Sequence, residues 1–292
     1  MDGFSMAAAL LPNDLRRAAE RLDPADRRRC EELRLRRGQR PTALLGGRER
    51  PFSPEPVTEP DLRRVLELAA RASLHAAVEE VRRGYLSAPG GVRVGVCGTA
   101  VPERGGLGGL RAFTSLAIRI PRAVPGCADG VWEAVTAGGF RSLLAVSPPG
   151  AGKTTLLREL IRRLSESGLR VCVADERGEL AGYDTEGAGF DLGAHTDVMT
   201  GVSKAEAAGM LLRSMNPQVL AMDEIADAAE AEALLAAVGC GVELLASVHG
   251  ADLADARRRP ACRMLLDAGA FRRCVTVACR GGARRCRAEE LP

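Results

Sequence analysis

The sequence predicts an α/β protein in which a domain with a mainly parallel sheet follows a smaller α+β amino-terminal domain. From about residue 130 onward, short apolar runs such as Leu143–Val146 and Val219–Met222 alternate with segments of helical spacing such as Lys153–Glu166. Buried strands that alternate with helices are typical of a parallel sheet covered on both faces. The earlier part of the chain carries hairpin signals and proline-rich stretches instead, which indicate a separate domain.

The first 60 residues are rich in arginine and proline and predict short elements. Apolar spacing indicates a helix at Asn13–Leu22, and Gly46-Gly47 reads as the turn of a hairpin. The predicted strands are Glu32–Leu35, Thr42–Leu45 and Arg48–Phe52. The four prolines of Pro51–Pro60 then predict a loop.

Helices and strands are also predicted in the rest of the amino-terminal domain. Helical spacing indicates helices at Asp61–Arg71 and Ser73–Arg83, and alternating valines indicate a strand at Val92–Val96. Leu116–Ile120 is a further strand, and Pro121–Gly126 is typical of a linker. We therefore expect an amino-terminal α+β domain at residues 1–125 and a second domain at residues 126–292.

The second domain is predicted to contain five buried strands separated by helices. The predicted strands are Leu143–Val146, Val171–Ala174, Val219–Met222, Leu244–Ser247 and Cys274–Val277. The predicted helices are Lys153–Glu166, Ser203–Met215 and Asp227–Val238. Glu206 and Glu230 each stand three residues after a capping residue and predict capping boxes for the last two helices. The glycine-rich stretch Gly182–Gly201 predicts a long loop, mobile or folded over the ligand site.

Composition narrows the class of function. The net charge is only +3, and aromatic residues make up 3% of the 292 residues, so the sequence lacks the basic, aromatic-bearing stripe of a nucleic-acid binder. The nine cysteines are irregularly spaced, which disfavours a zinc site and is typical of reduced thiols. No segment is apolar enough to span a membrane, and the first residues lack the basic start of a signal peptide, so we expect a cytoplasmic protein.

The sequence LLAVSPPGAGKTTLLREL places a strand, a glycine-rich turn and a helix in the order of a phosphate-binding P-loop. Gly150 and Gly152 allow backbone N–H groups to surround phosphates, and the following helix directs its positive end at them. Lys153 is expected to reach the outer phosphates, while Thr154 binds Mg²⁺ and Thr155 lies near the inner phosphate. The predicted nucleotide-binding residues are Ser147, Pro148, Pro149, Gly150, Ala151, Gly152, Lys153, Thr154 and Thr155. Ser147 departs from the usual pattern, which has glycine at this position.

An acidic pair completes the predicted site. Asp223 and Glu224 end the strand Val219–Met222, where Asp223 is expected to hold Mg²⁺ and Glu224 to activate the attacking water. Asp175 and Glu176 end another strand, so Glu176 is a rival for the role of Glu224.

His249 follows the strand Leu244–Ser247 and therefore stands at the same edge of the predicted sheet. A histidine there is expected to report the state of the γ-phosphate to neighbouring subunits. The alternative is an ordinary surface histidine.

Several stretches resemble one known family, among them SLHAAVEEVRRGYLSAPGGVRVGVCGTAV, SPPGAGKTTLLREL, VADERGELAG, RSMNPQVLAMDEI and LLASVHG. On these residues the chain resembles the stage III sporulation protein AA family over nearly its whole length. That family is similar to the secretion ATPases of type II and type IV systems. The departures are Ser147 and Gly250, and the segment Gly281–Pro292 is not covered by the resemblance.

The resemblance implies hydrolysis of ATP with Mg²⁺ to energise a transenvelope complex between mother cell and forespore. It implies a homo-oligomeric ring, expected to be a hexamer, attached peripherally to membrane-embedded components from the mother-cell cytoplasm. It also implies that Arg111, Arg119 or Arg122 reach a nucleotide from the amino-terminal domain of the same or a neighbouring subunit. Arg111 is predicted to follow a glycine-rich loop that could bring it near a ligand. In the predicted strand, alternation would direct Arg119 away from the apolar side chains on one face. Ordinary surface arginines are the alternative.

Two other functions compete with this one. The first is a nucleic-acid-dependent ATPase of the RecA type, which the composition disfavours. The second is a nucleotide-gated scaffold without catalysis, which the presence of both Asp223 and Glu224 disfavours.

Overall fold

The computed structural model describes residues 2–70, 78, 81–82, 84–103, 106–182, 189–280 and 283–292. The chain divides into two compact units. One unit comprises Met1–Arg122 and Gly182–Gly189, and the other comprises Ala123–Ala181 and Phe190–Pro292. The domain boundary between residues 125 and 126 stays a prediction.

The first unit is built on a six-stranded sheet whose neighbouring strands are all antiparallel. Its strands are β1 (Cys30–Arg36), β2 (Thr42–Leu45), β3 (Arg48–Pro51), β4 (Tyr85–Ala88), β5 (Val92–Glu103) and β6 (Gly106–Arg119). The order across the sheet is β3-β2-β1-β6-β5-β4. Leu33 and Leu35 of β1 and Ile118 of β6 are fully buried on its core face. This α+β arrangement agrees with the pattern of hairpin signals in the sequence.

Four described helices accompany this sheet, namely α1 (Gly3–Ala9), α2 (Asn13–Glu20), α3 (Pro24–Arg29) and α4 (Glu59–Ala69). Helix α4 begins two residues before the prediction because Thr58 and Asp61 form a capping box around its first turn. Pro60 fits there because the first turn of a helix needs no N–H from it. The predicted helix Ser73–Arg83 lies almost entirely outside the described residues.

The second unit contains a seven-stranded, mainly parallel sheet. Its strands are β7 (Leu143–Ser147), β8 (Val171–Ala174), β9 (Thr196–Met199), β10 (Val219–Met222), β11 (Glu243–His249), β12 (Arg273–Arg280) and β13 (Ala283–Glu290). The order is β13-β12-β7-β11-β10-β8-β9. Every neighbouring pair is parallel except β12 with β13. The five predicted strands are confirmed.

Helices cover both faces of this sheet. They are α5 (Asp129–Thr136), α6 (Lys153–Glu166), α7 (Lys204–Ser214), α8 (Ala228–Gly239), α9 (Leu253–Ala256) and α10 (Pro260–Asp267). Along β7, Leu143 packs into one apolar cluster and Leu144 into another, as the alternation of side chains in a strand requires. Within the described residues, no helix has the length and apolar character needed to cross a bilayer.

Two strands of the second unit differ from the prediction. The stretch Gly182–Gly201, predicted as a loop, contains the edge strand β9, whose residues are only partly buried and so show no apolar run. Residues 283–290 form β13, an edge strand that carries several arginines. Both strands escape a prediction based on buried apolar runs because each has a neighbour on one side only.

Candidate active site

The candidate site lies at the carboxyl ends of three adjacent strands, β7, β11 and β10. Register fixes these ends relative to one another, since Ser147 pairs with His249, and Met222 pairs with Ala246. Asp223 follows Met222 directly. The phosphate-loop residues, the acidic pair and the histidine are therefore brought together by the sheet itself, at the edge where open α/β sheets bind ligands.

The loop after β7 has the backbone that phosphate binding requires. Gly150 has φ +75° and Gly152 has φ +91°, conformations that residues with a side chain rarely adopt. Helix α6 begins at Lys153 immediately afterwards and runs for 14 residues. Successive N–H groups at such a turn, followed by a helix amino terminus, form an anion-binding concavity, so the loop fits a triphosphate.

Ser147 replaces the first glycine of the usual pattern without strain. It is the last residue of β7 and is fully buried. Its φ is not positive, unlike that of Ala112, Asn216 and Glu224. Serine is accommodated because the backbone at this position is still an extended strand.

Thr154 and Asp223 join the loop to the acidic pair. The Thr154 hydroxyl donates to Asp223 Oδ2 at 2.8 Å, and Ser247 Oγ donates to Asp223 Oδ1 at 2.6 Å. A hydroxyl and a carboxylate in contact present the oxygen ligands that Mg²⁺ prefers. The residues present therefore fit a magnesium ion bound beside the phosphates.

Lys153, His249 and Glu224 form a chain of polar contacts. Lys153 Nζ lies 3.5 Å from His249 Nδ1, and His249 Nε2 lies 3.4 Å from Glu224 Oε2. Burial lowers the pKa of Lys153, although the carboxylates of Asp223 and Glu224 act in the opposite direction. Arg259 Nε donates to the His249 carbonyl at 2.6 Å and fixes its backbone. The histidine thus contacts both the candidate phosphate-binding lysine and a candidate base.

The backbone of Glu224 is in the left-handed region, with φ +51°. Its N–H donates to Ser247 Oγ at 2.8 Å, and Lys204 Nζ donates to its carbonyl oxygen. A non-glycine residue keeps this conformation only where its surroundings fix it, and such residues cluster at functional sites. Neither Ser247 nor Lys204 was predicted as a site residue, although Ser247 stands two residues before His249 on the same face of β11.

The predicted capping residues are confirmed, but only half of each box is seen. Ser203 Oγ accepts the Glu206 N–H at 3.2 Å, and Asp227 Oδ1 accepts the Glu230 N–H at 3.0 Å. The Glu230 carboxylate accepts the N–H of Ala226 and not that of Asp227, because it also pairs with Lys204. In the helix that starts after Asp227, the ion pair between Lys204 and Glu230 takes the place of the second hydrogen bond of the capping box.

Glu176 and Glu224 line one cavity of about 250 Å³, together with Asp175, Asp223 and Lys204. Asp175 is structural, since its Oδ2 accepts the N–H groups of Leu180 and Ala181 at 3.0 and 2.8 Å. Burial raises the pKa of Asp175. Because both Glu176 and Glu224 line this cavity, its geometry does not distinguish between the two candidates for the base.

Arg158 of α6 holds the loop that carries Glu176. Its guanidinium donates to the carbonyls of Leu180 and Glu179 at 2.9 and 2.8 Å, and it lies 3.8 Å from the centre of the Phe190 ring. Burial lowers the pKa of Arg158 to about 10. The loop is thereby attached to the helix that begins at the phosphate loop.

We expect Arg158→Ala to lower the free energy of unfolding by about 2–4 kcal/mol, because two buried carbonyls lose their donor. Urea unfolding followed by the fluorescence of Trp132, the single tryptophan, measures this. The control is Arg141→Ala, which removes an exposed ion pair with Glu243 and should cost less than about 1 kcal/mol. Equal losses in the two variants would contradict the structural role of Arg158.

The predicted arginines lie in the first unit. Arg119 ends β6 and is exposed, with its Nε 3.7 Å from Glu32 Oε2. Leu116 and Ile118 are buried, so the arginine points away from the apolar core, as the alternation predicted. The prediction that Arg111 follows a glycine-rich loop is wrong, because β6 already begins at Gly106 and Arg111 pairs with Thr99 of β5. Glycines can form the backbone hydrogen bonds of a strand as other residues do, so β6 continues through them. The pairing of β5 with β6 shifts register near Ala112, whose φ of +48° marks a β-bulge.

The strand, glycine turn and helix, with an acidic pair on a nearby strand, define a P-loop fold. The chain belongs to the stage III sporulation protein AA family: residues 5–288 match the family model described as "Sporulation stage III, protein AA". It is 33% identical to the stage III sporulation protein AA of Bacillus subtilis (strain 168) over 93% of this chain and 90% of that protein.

Solved structures share the fold at low identity. The Legionella pneumophila ATPase DotB superposes with a TM-score of 0.61 at 17% identity, covering 96% of this chain and 81% of that one. The pilus retraction motor PilT, solved with bound ADP, gives a TM-score of 0.61 at 17% identity, covering 90% and 79%.

Proposed function

We propose that this protein binds ATP with Mg²⁺ and hydrolyses it to energise a transenvelope, secretion-like complex during endospore formation. The hydrogen bond between Thr154 and Asp223 carries the proposal, because it joins a phosphate-binding loop to a carboxylate suited to Mg²⁺. Membership of the sporulation family supports the setting. The fold shared with an ATPase and with a motor that binds ADP supports the activity.

In this proposal the phosphate loop binds the nucleotide. The N–H groups from Gly150 to Thr155 and the ammonium of Lys153 hold the phosphates, with Thr155 nearest the inner one. Thr154 and Asp223 hold Mg²⁺, which when bound neutralises charge on the phosphate oxygens. Lys153 is only 6% exposed, so its charge acts in a site largely screened from water.

Glu224 is the group we propose to orient and deprotonate the attacking water, with Glu176 as its rival. His249 acts as a sensor of the γ-phosphate. It contacts both Lys153 and Glu224, so a phosphate that draws Lys153 away alters the contact between His249 and the base.

We place the second domain in the RecA-like group of P-loop ATPases. We expect a homo-oligomeric ring of six subunits in the mother-cell cytoplasm, docked on membrane-embedded components of a mother cell–forespore channel. No nucleic acid is expected as a partner. The oligomeric state with and without ATP and Mg²⁺, measured by light scattering, tests the ring.

An assay of ATP turnover beside a salt-dependent DNA-binding assay tests the function itself. The proposed enzyme turns over ATP whether or not DNA is present. Turnover that depends on DNA, with affinity that falls steeply as salt rises, would indicate the RecA-type motor instead. Tight ATP binding without turnover would indicate a nucleotide-gated scaffold.

The arginines of the first unit are proposed to act on a nucleotide of the same or a neighbouring subunit, and mixing of variants tests the second arrangement. We expect Arg119→Ala or Arg111→Ala to lower turnover at least ~10-fold, because an added arginine stabilises charge on the transferring phosphate. Mixing either variant with Lys153→Ala subunits should restore partial turnover, since some interfaces then combine an intact arginine with an intact phosphate loop. Turnover of the mixtures, compared with each variant alone, is the measurement.

The matched control is Arg63→Ala, which removes an exposed arginine of α4 that pairs with Glu59 and should leave turnover unchanged. Full activity of both site variants alone, with no gain on mixing, would remove Arg111 and Arg119 from the site.

A further inference from the structure

Lys204 is one of only two lysines among the 41 basic residues of the chain, and it occupies the first position of α7. A cation at this end of a helix lies against the positive end of the helix dipole, so helix stability does not explain it. The side chain is only 14% exposed and reaches the turn that follows β10. Its contacts with that turn explain its position.

The ammonium group of Lys204 has three donors, and three acceptors surround it. Nζ donates to the Asp223 carbonyl at 3.2 Å and to the Glu224 carbonyl, and it pairs with Glu230 Oε1 at 2.8 Å. Glu230 is buried, and its Oε2 accepts the Ala226 N–H at 2.6 Å. Lys204 and Glu230 thus hold the turn from two sides.

The turn that Lys204 and Glu230 hold contains Glu224, the candidate base. Glu224 keeps φ +51° while its N–H is fixed by Ser247 and its carbonyl by Lys204. Because φ sets the direction in which a side chain leaves the backbone, the contacts that hold φ also hold the Cα–Cβ bond of Glu224, from which its carboxylate extends to His249. A compact ammonium suits this task, since a planar guanidinium directs its donors within one plane.

We propose that Lys204, held in place by its ion pair with Glu230, is a positioning residue. It fixes the backbone of Glu224 and thereby helps to orient the side chain of Glu224. The inference rests on the proposed function, in which Glu224 activates water. Lys204 touches only the backbone of the acidic pair and the carboxylate of Glu230 in these contacts. Its loss should therefore slow the chemical step without weakening nucleotide binding.

The test is Lys204→Met, which keeps a chain of similar length and removes all three donors. We expect kcat to fall at least ~10-fold, while KM and the Kd of a fluorescent ATP analogue stay within ~3-fold, because only the chemical step loses its geometry. In the Glu224→Gln background, single-turnover rates should change less than ~2-fold on adding Lys204→Met, since the carboxylate that Lys204 positions is already gone.

Ser203→Ala is the matched control, because it removes the capping bond at the start of the same helix and leaves the Lys204 contacts in place. It should lower thermal stability without lowering kcat. Glu230→Gln is a second variant for the case that Lys204→Met does not fold. It preserves the size of the side chain and removes the negative charge that pairs with the Lys204 ammonium. It should show the same fall in kcat and the same non-additivity with Glu224→Gln.

A wild-type kcat in a folded Lys204→Met or Glu230→Gln protein would overturn the role of Lys204 and leave the proposed function standing. A full ~10-fold further loss in the Glu224→Gln background would overturn it as well, because Lys204 would then act on something other than Glu224. Absence of ATP turnover in the wild-type chain would overturn the proposed function and this inference together.

Discussion

Lys153→Ala is expected to reduce ATP turnover at least ~1,000-fold, because removing one preorganised donor aimed at developing charge costs ~10²–10³ and this donor is also charged. Lys153 is the lysine of the proposed phosphate loop, is 6% exposed, and has its Nζ 3.5 Å from His249 Nδ1. The fold should survive, because burial lowers the pKa of this group, which means that the charged lysine is disfavoured in the folded state. Phosphate release per folded molecule, with Trp132 fluorescence as the measure of folding, checks both expectations.

Arg141→Ala serves as the control for loss of one positive charge in the same unit, since Arg141 is exposed and pairs only with Glu243 in its described contacts. Its turnover should match that of the wild type. Turnover of folded Lys153→Ala at the wild-type rate would contradict the assignment of the phosphate loop.

Glu224→Gln is expected to bind ATP with Mg²⁺ normally and to hydrolyse it at least ~100-fold more slowly, the usual scale for loss of a general base. Glutamine preserves the size of the side chain and the backbone contacts to Ser247 and Lys204, so the site should keep its shape. Rates of single turnover and a separate measurement of nucleotide affinity distinguish loss of chemistry from loss of binding.

The matched control is Glu176→Gln, because both carboxylates line the same cavity. We expect it to slow turnover much less than Glu224→Gln does. Should Glu176→Gln be the slow variant and Glu224→Gln nearly normal, the roles of the two acids are reversed.

The strands and helix that carry the site could be predicted closely from sequence. The helix Lys153–Glu166 and the strands Val171–Ala174 and Val219–Met222 have the bounds that were predicted. These strands are central in a parallel sheet and buried on both faces, so each reads as a continuous apolar run between polar turns. Local patterns and tertiary packing favour the same structure here.

The other features depend on contacts that no local pattern records. Strand β9 is an edge strand with polar residues, and β6 extends through glycines that read as a loop. Lys204 meets Glu230 and the turn at Glu224 because α7 packs against α8 in the folded chain. The roles of the individual site residues remain predictions, because geometry brings Glu176 and Glu224 to one cavity without choosing between them.

The scarcity of lysine has a practical consequence for chemical modification. Both lysine amines of the chain belong to the candidate site, since Lys153 is buried in the phosphate loop and Lys204 is 14% exposed beside Glu224. Reagents that acylate lysine side chains would therefore test the proposed nucleotide site, and bound ATP should slow their reaction at Lys153. Lysine-directed cross-linkers, in contrast, have no lysine on the outer surfaces of this chain with which to map its neighbours.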